Sequence, residues 1–146
     1  MSASDVITGP GSTALQDDEF IVEFLAERPG KETSDAYLRF TPRTEMDIAV
    51  VGAAARVAIT ESGECMSVDV VLGAVAPTTI RVEGIADVLV GRPLTDENLK
   101  MAARLSSDQA RPIDDKRGTT DFRTHIAGVL TKRVIGIAAG RAEART

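Results

Sequence analysis

Two extended runs between residues 37 and 60 constrain the fold of this chain more than any other feature. The first run alternates, so that Leu38 and Phe40 point to one face of a strand. Tyr37 and Arg39 then point to the opposite face. The second run is dominated by Val, Ile and Ala, and a polar corner containing a proline separates it from the first. Such a pair of strands buries one face against the core. Its other face, which is aromatic and basic, points outward towards a different contact surface.

The rest of the chain supplies further strands first and helices afterwards. Strands are predicted over 17–27, 37–41, 48–60 and 66–75, and helices over 83–90, 96–111 and 121–140, the last with Thr120 as its expected N-cap. Glu61-Ser62-Gly63-Glu64 reads as a tight turn between antiparallel neighbours. Because strands and helices do not alternate, the pattern predicts an α+β fold. We expect an antiparallel sheet of about four strands, covered on one side by three helices.

Local signals place the ends of two predicted helices. Gly91 follows the first helix, where a glycine readily adopts the left-handed cap conformation. Thr95 is expected to cap the second helix, with Asp96 and Glu97 favourably placed in its first turn. Pro112 ends that helix.

Length and composition indicate one ordinary globular domain. The 146 residues are 43% hydrophobic but only 3% aromatic, so the core must consist of Val, Ile, Leu and Ala. We expect a loose segment over 1–16, the domain over 17–140 and a frayed tail over 141–146. The net charge of -5 argues against nucleic-acid binding. No signal peptide or membrane span is predicted, and a cytoplasmic location fits these features.

The sequence shows no self-contained catalytic or metal site. It contains neither a G-x-G-x-x-G motif nor a Walker loop. His125 is the only histidine and is expected on a helix surface, without a Ser or Cys partner at a motif spacing. Cys65 is the only cysteine, so we interpret it as a structural thiol and exclude a disulfide framework. No catalytic and no metal-binding residue is predicted.

Three motifs together resemble one known family. They are Y-L-R-F-x-x-R-x-x-x-D-I-A-V-V-G from Tyr37, L-G-A-V-A-P-T-T-I-R from Leu72, and P-I-D-D-x-R-G-T-T-D-F-R from Pro112. In this order they are similar to the C-terminal domain of the FAD-binding (medium) subunit of molybdenum hydroxylases, the carbon monoxide dehydrogenase and xanthine dehydrogenase family. The resemblance runs from about Gly9 to Arg133. It implies the same α+β architecture that the strand and helix pattern predicts.

The resemblance also implies roles for three residues. The family places a branched apolar residue and a basic residue from successive strands near the flavin ring, and the matching positions here are Ile21 and Arg39. Tyr37, on the same face as Arg39, is a further candidate that would shield the ring. A cation at this position favours an electron-rich reduced flavin. The alternative is that Arg39 and Arg43 are surface residues that form salt bridges, with Asp47 as one partner.

Family members are longer and carry glycine-rich loops, before the matched region, that hold the FAD pyrophosphate. We therefore expect little or no FAD binding, and no oxidoreductase activity, by this chain alone. The resemblance implies a molybdenum-binding large subunit and an iron–sulfur small subunit as partners, with electrons passing from iron–sulfur centres to FAD. Two alternatives stay open: a docking or assembly module that no longer meets flavin, and a folded but idle relic of a truncated gene.

Overall fold

A computed structural model describes residues 1–44 and 47–145 of the chain. Within these residues the strands are β1 (Ile7–Gly9), β2 (Ser12–Thr13), β3 (Thr33–Phe40), β4 (Val51–Ile59), β5 (Cys65–Gly73) and β6 (Ile80–Arg81). The helices are α1 (Ala3–Val6), α2 (Ile85–Leu89), α3 (Asp96–Gln109) and α4 (Thr120–Glu143). The polar corner predicted over 41–46 is described only as far as Thr44, since Glu45 and Met46 lie outside the described residues.

The main sheet has four antiparallel strands in the order β3-β4-β5-β6. The turn after β4 contains Gly63 at φ 82°, and the Gly63 N–H donates to the Thr60 carbonyl at 3.0 Å. It joins β4 to β5, as the sequence predicted. At β3, which is an edge strand of the sheet, the side chains of Arg141 and Arg145 from α4 donate to the carbonyl oxygens of Asp35 and Thr33. These bonds hold the end of α4 against the first strand.

Helices cover one face of the sheet, which confirms the predicted α+β architecture. α4 packs against β3 and β4, α2 packs against β5, and α3 packs against α2 and α4. The core between them consists of small aliphatic side chains, among them Val51, Ala53, Val70, Leu72, Leu89, Val134 and Ile135.

The first predicted strand is the main correction to the fold. Residues 17–27 form no strand, and the sheet instead gains its fourth strand at Ile80–Arg81. The apolar alternation of this segment is real, but a strand needs a neighbouring strand to pair with its N–H and C=O groups. The described residues offer it none. β3 also begins earlier than predicted, at Thr33.

The chain ends differ in detail from the sequence prediction. Residues 1–16 contain α1 and a two-stranded hairpin of β1 and β2. α4 continues to Glu143, and Thr146 lies outside the described residues. The Oγ1 atom of Thr119, rather than Thr120, caps α4 by accepting from the N–H of Phe122 at 3.2 Å. Thr95 caps α3 as predicted.

Candidate functional site

The face of the main sheet that points away from the helices is open. We call it the outer face; its residues in β3, β4 and β5 are Asp35, Tyr37, Arg39, Gly52, Ala54, Arg56, Asp69, Val71 and Gly73. None of the helices in the described part of the chain packs against it. The alternation of β3 therefore works as predicted, with Leu38 and Phe40 half-buried on the helix side and Tyr37 and Arg39 exposed on the outer side.

Tyr37 forms a flat aromatic surface on this face. A Cβ atom added to Gly52 would lie 3.1 Å from the Tyr37 hydroxyl oxygen and 3.4 Å from its ring edge. The ring therefore lies across β4 above Gly52, and it is still 61% exposed. Glycine at position 52 permits this close approach because it has no side chain. The arrangement leaves one side of an aromatic ring available to a planar ligand.

Arg39 lies beside this ring, in the row of the sheet with the smallest side chains. It is paired with Gly52 in β4, and Gly52 is paired with Gly73 in β5. No carboxylate of the described residues lies within 4 Å of the Arg39 guanidinium, whereas Arg43 pairs with Asp47 at 3.6 Å. The salt-bridge interpretation thus holds for Arg43. Arg39 keeps an exposed, uncompensated charge on an otherwise small and flat surface.

Arg56, the other cation of the central strand, has a different setting. In the register of the sheet it stands between Asp35 of β3 and Asp69 of β5. Asp35 stands next to it in this row, while Asp69 is paired with Arg81 of β6. The row that carries Arg39 contains only Gly52 and Gly73 beside it, and no acidic residue.

Ile21, the third candidate from the sequence, lies in a segment without regular structure. We call residues 20–25 the exposed segment. Phe20, Ile21, Val22, Phe24 and Leu25 are all exposed, Leu25 by 89%. Among the described residues, the backbone of this segment makes no hydrogen bond. Ile21 and its neighbours, together with Met1, Val6 and Leu15, line a groove of about 640 Å³.

A buried arginine that the sequence did not single out organises the end of the sheet next to Arg39. Arg123 is 5% exposed. Its Nη1 donates to the carbonyl oxygens of Val50 at 3.0 Å and Ala74 at 3.3 Å, and its Nη2 pairs with Asp115 at 2.5 Å. Buried charges need such partners. The only signal for Arg123 in the sequence was its position at the end of the third motif. Its neighbour Phe122 packs edge-on against Phe40, with the ring centroids 5.5 Å apart.

Two aspartates complete an ion-pair network with this arginine. Hydrogen bonds from Arg123 and from the backbone N–H groups of Arg117 and Gly118 hold the pKa of Asp115 below its usual value. Desolvation acts to raise the pKa of Asp47, but backbone N–H groups, Arg43 and Arg117 together lower it. Arg117 is 3.6 Å from Asp47 and 4.0 Å from Asp115, so it bridges the two carboxylates. The network fixes the loops on either side of it.

The remaining polar candidates have structural explanations. Cys65 is buried at the start of β5, and burial raises the pKa of its thiol. His125 is exposed on α4. In the part of the chain that the structure describes, no three His, Cys, Asp or Glu side chains are grouped so that they could hold a metal ion. Nor is any helix of that part long and apolar enough to cross a bilayer.

The fold thus defines a class of domain: a four-stranded antiparallel sheet with helices on one face and an aromatic, cationic second face. Comparison with known proteins identifies the family. Residues 36–138 match the family model of the CO dehydrogenase flavoprotein C-terminal domain. The chain belongs to this family, as the three motifs indicated.

Curated relatives and solved structures agree with this assignment. The chain is 32% identical over 140 residues to the carbon monoxide dehydrogenase medium chain of Hydrogenophaga pseudoflava, covering 95% of this chain and 48% of that protein. It is 29% identical over 136 residues to the xanthine dehydrogenase FAD-binding subunit of Escherichia coli O157:H7, covering 92% and 46%. In structure it resembles the carbon monoxide dehydrogenase of H. pseudoflava, with a TM-score of 0.85, 29% identity, and coverage of 94% of this chain and 47% of that one. Quinoline 2-oxidoreductase from Pseudomonas putida 86 gives a TM-score of 0.85 at 28% identity, covering 98% and 49%. The chain therefore spans about half the length of the relatives it matches.

Proposed function

We propose that this chain is the part of an FAD-binding subunit that covers the flavin ring, in an oxidoreductase of the molybdenum hydroxylase type. The observation that carries the proposal is the open outer face, where the exposed Tyr37 ring lies over Gly52 with the uncompensated charge of Arg39 beside it. A planar ring fits such a surface, and a cation beside it favours negative charge on the ring. The relatives are FAD-binding or medium subunits of xanthine and carbon monoxide dehydrogenases.

The described residues fit the ring of FAD better than its pyrophosphate. Helix N-termini are the usual backbone sites for a pyrophosphate. In α3 the Thr95 hydroxyl occupies the first turn, and Asp96 and Glu97 make that turn acidic. In α4 the N–H groups of Thr120 and Phe122 donate to Asp114 and Thr119. We infer that the pyrophosphate is held by additional polypeptide, which corresponds to the half of the relatives that this chain does not match. We therefore infer that this chain alone binds FAD weakly or not at all.

The exposed segment supports the need for such additional polypeptide. Five large apolar side chains in six residues are exposed, and their backbone has no partner among the described residues. Covering them would give the segment the strand partner that its alternation requires, and would bring Ile21 towards the flavin. The bound flavin would supply the redox chemistry. Iron–sulfur and molybdenum subunits would pass electrons to it, in a complex that we place in the cytoplasm.

A titration with FAD tests this proposal. We expect no flavin binding by the purified chain alone, followed by the absorption band of bound flavin once the chain is assembled with the polypeptides that supply the uncovered half. Tight binding of FAD by the isolated chain would contradict the division of the site. An assembled complex that retains no flavin after excess FAD has been removed would instead favour the second candidate, a docking or assembly module, which the exposed segment also fits.

A further inference from the structure

A second groove, separate from the outer face, lies where β4 begins and β5 ends. It measures about 510 Å³, and its walls include Ile48, Ala76, Pro77, Arg111, Pro112 and Ile113. Ile48 is 66% exposed and Ile113 is 74% exposed. Large aliphatic side chains that border one groove and remain in water are typical of a surface that another molecule covers. None of the three residues proposed to meet flavin lines this groove.

The groove is positively charged in a negatively charged protein. Among the described residues, its lining contains Arg111, Arg117 and Arg123 but a single carboxylate, Asp115. Asp47, beside Arg117, is itself paired with Arg43. The described lining therefore has an excess of two positive charges, while the whole chain carries a net charge of -5. A ligand that complements it must be apolar and acidic.

Of the positively charged side chains in the groove, that of Arg111 is best placed to bind an acidic ligand. Its Nη1 donates to the carbonyl oxygens of Asp108 at 2.6 Å and Ala110 at 2.7 Å, while its backbone N–H donates to Val75 at 2.7 Å. Carbonyl groups fix the guanidinium without neutralising it. Among residues 1–44 and 47–145, no carboxylate lies within 4 Å of it, and its Nε and Nη2 make no hydrogen bond. Those two groups form the edge of a guanidinium that binds a carboxylate through two parallel hydrogen bonds.

The other two arginines of the groove have partners already. Arg123 is held by Asp115 and two carbonyl oxygens, and Arg117 stands between Asp47 and Asp115. Among the described residues that line the groove, only Arg111 combines a fixed guanidinium with an unmatched charge.

We propose that this groove is a docking site for an extended, apolar segment of a partner protein that carries one acidic side chain. The apolar residues of the segment lie between Ile48 and Ile113, and its carboxylate pairs with Arg111. The inference is independent of flavin contact, because the groove is lined by none of the residues proposed to meet flavin.

The test uses the full chain and two peptides that differ in one group: acetyl-Leu-Val-Glu-Leu-Val-amide and the same peptide with Gln in place of Glu. NMR spectra report the δ1 methyl groups of Ile48 and Ile113 and the Nε–Hε group of Arg111. We expect the Glu peptide to shift all three signals and to bind about tenfold more tightly than the Gln peptide, as a charge-assisted hydrogen bond would give. Arg111→Gln removes this preference. Arg104→Gln, which removes an exposed charge from α3 outside the groove, keeps it.

Three results would overturn the proposal. Equal affinity of both peptides for the unmodified chain would remove the role of Arg111. If the peptide shifts other methyl signals instead of those of Ile48 and Ile113, or shifts no signal at millimolar concentration, then the groove is not the binding site. Acetate that shifts the Arg111 signal as effectively as the Glu peptide would show an anion site without an apolar component. All three results are read on the unmodified protein, so none depends on the folding of a variant.

Discussion

The guanidinium of Arg123 donates to the carbonyl oxygen of Val50 at 3.0 Å, although the two residues are 73 positions apart in the chain. The same side chain reaches the carbonyl oxygen of Ala74 and the carboxylate of Asp115. Each of these three partners belongs to a different one of the three sequence motifs. Ala74 has a φ of 62°, a left-handed conformation that is uncommon in a non-glycine residue. One arginine thus joins the start of β4, the end of β5 and the loop before α4.

Replacing this arginine should weaken the whole domain. Arg123→Met keeps the length and the apolar stem, but leaves two carbonyl groups and Asp115 without their donor. We expect a loss of about 3 kcal/mol in the free energy of unfolding, measured with urea. Arg133→Met, at an exposed position of the same helix, is the control and should change it by less than about 0.5 kcal/mol. A loss below about 1 kcal/mol for Arg123→Met would show that the network is not structurally important.

The lowered pKa of Asp115 predicts a dependence of stability on pH. Because the folded state holds this pKa below the usual 3.8, the ionised carboxylate stabilises the fold at pH values above about 4. That contribution is lost as the pH falls through the folded-state pKa. Asp115→Asn should therefore be less stable than the unmodified chain at pH 7, with a difference that shrinks as the pH drops below 4. Asp18→Asn controls for the loss of one charge. A difference that is constant from pH 7 to pH 2 would contradict the prediction.

Much of the fold could be predicted because the relevant signals are local. Alternation in β3 placed Tyr37 and Arg39 on the face opposite Leu38 and Phe40, as the structure shows. The glycine turn between β4 and β5 and the left-handed Gly91, at φ 73°, are likewise set by single residues. Periodicity and turn chemistry do not depend on distant parts of the chain.

What the sequence did not reveal depends on contacts between distant residues. The segment 17–27 has the alternation of a strand, but pairing requires a neighbouring strand that the described residues do not provide. On α4, Ile137 is 38% exposed, while Ile135, two residues before it, is fully buried. α4 is apolar on several sides, so its period does not specify the buried face. Arg123 looked like any helix arginine, since only the assembled loops make it a buried one.

The crossing of α3 and α4 depends on one glycine. A Cβ atom at Gly128 would lie 2.5 Å from the Ser107 hydroxyl and 2.8 Å from the Ala103 carbonyl oxygen. The backbone oxygen cannot move away without separating the helices. We expect Gly128→Ala to destabilise the chain by roughly 1–3 kcal/mol in urea unfolding. Gly136→Ala, in the same helix, is the matched control. A Cβ atom added at Gly136 would meet nothing within 4 Å, so this change should stabilise the folded chain by up to about 1 kcal/mol. Equal effects of the two changes would disprove the packing argument.

The buried thiol of Cys65 should be protected in the native protein. It is 1% exposed, and burial raises its pKa, so little reactive thiolate is present. We expect Ellman's reagent to react at a rate limited by opening of the structure, and to react within seconds after unfolding in guanidinium. Rapid, stoichiometric reaction in native buffer at pH 8 would show that the start of β5 opens freely.

Arg39 provides the sharpest test of the proposed contact between the outer face and flavin. Its charge has no carboxylate partner among the described residues and lies beside the Tyr37 ring, so a flavin placed there gains stabilisation in its negatively charged reduced form. In the assembled complex, Arg39→Ala should lower the flavin reduction potential by roughly 30 mV or more, and Arg39→Lys should restore most of it. Arg56→Ala removes a cation from the same face, but from the row that already holds Asp35 and Asp69, and should shift the potential much less. Neither variant should alter the unfolding of the chain alone, because both side chains are exposed. If Arg39→Ala and Arg56→Ala change the potential equally, the effect is one of overall charge, and Arg39 does not contact the flavin.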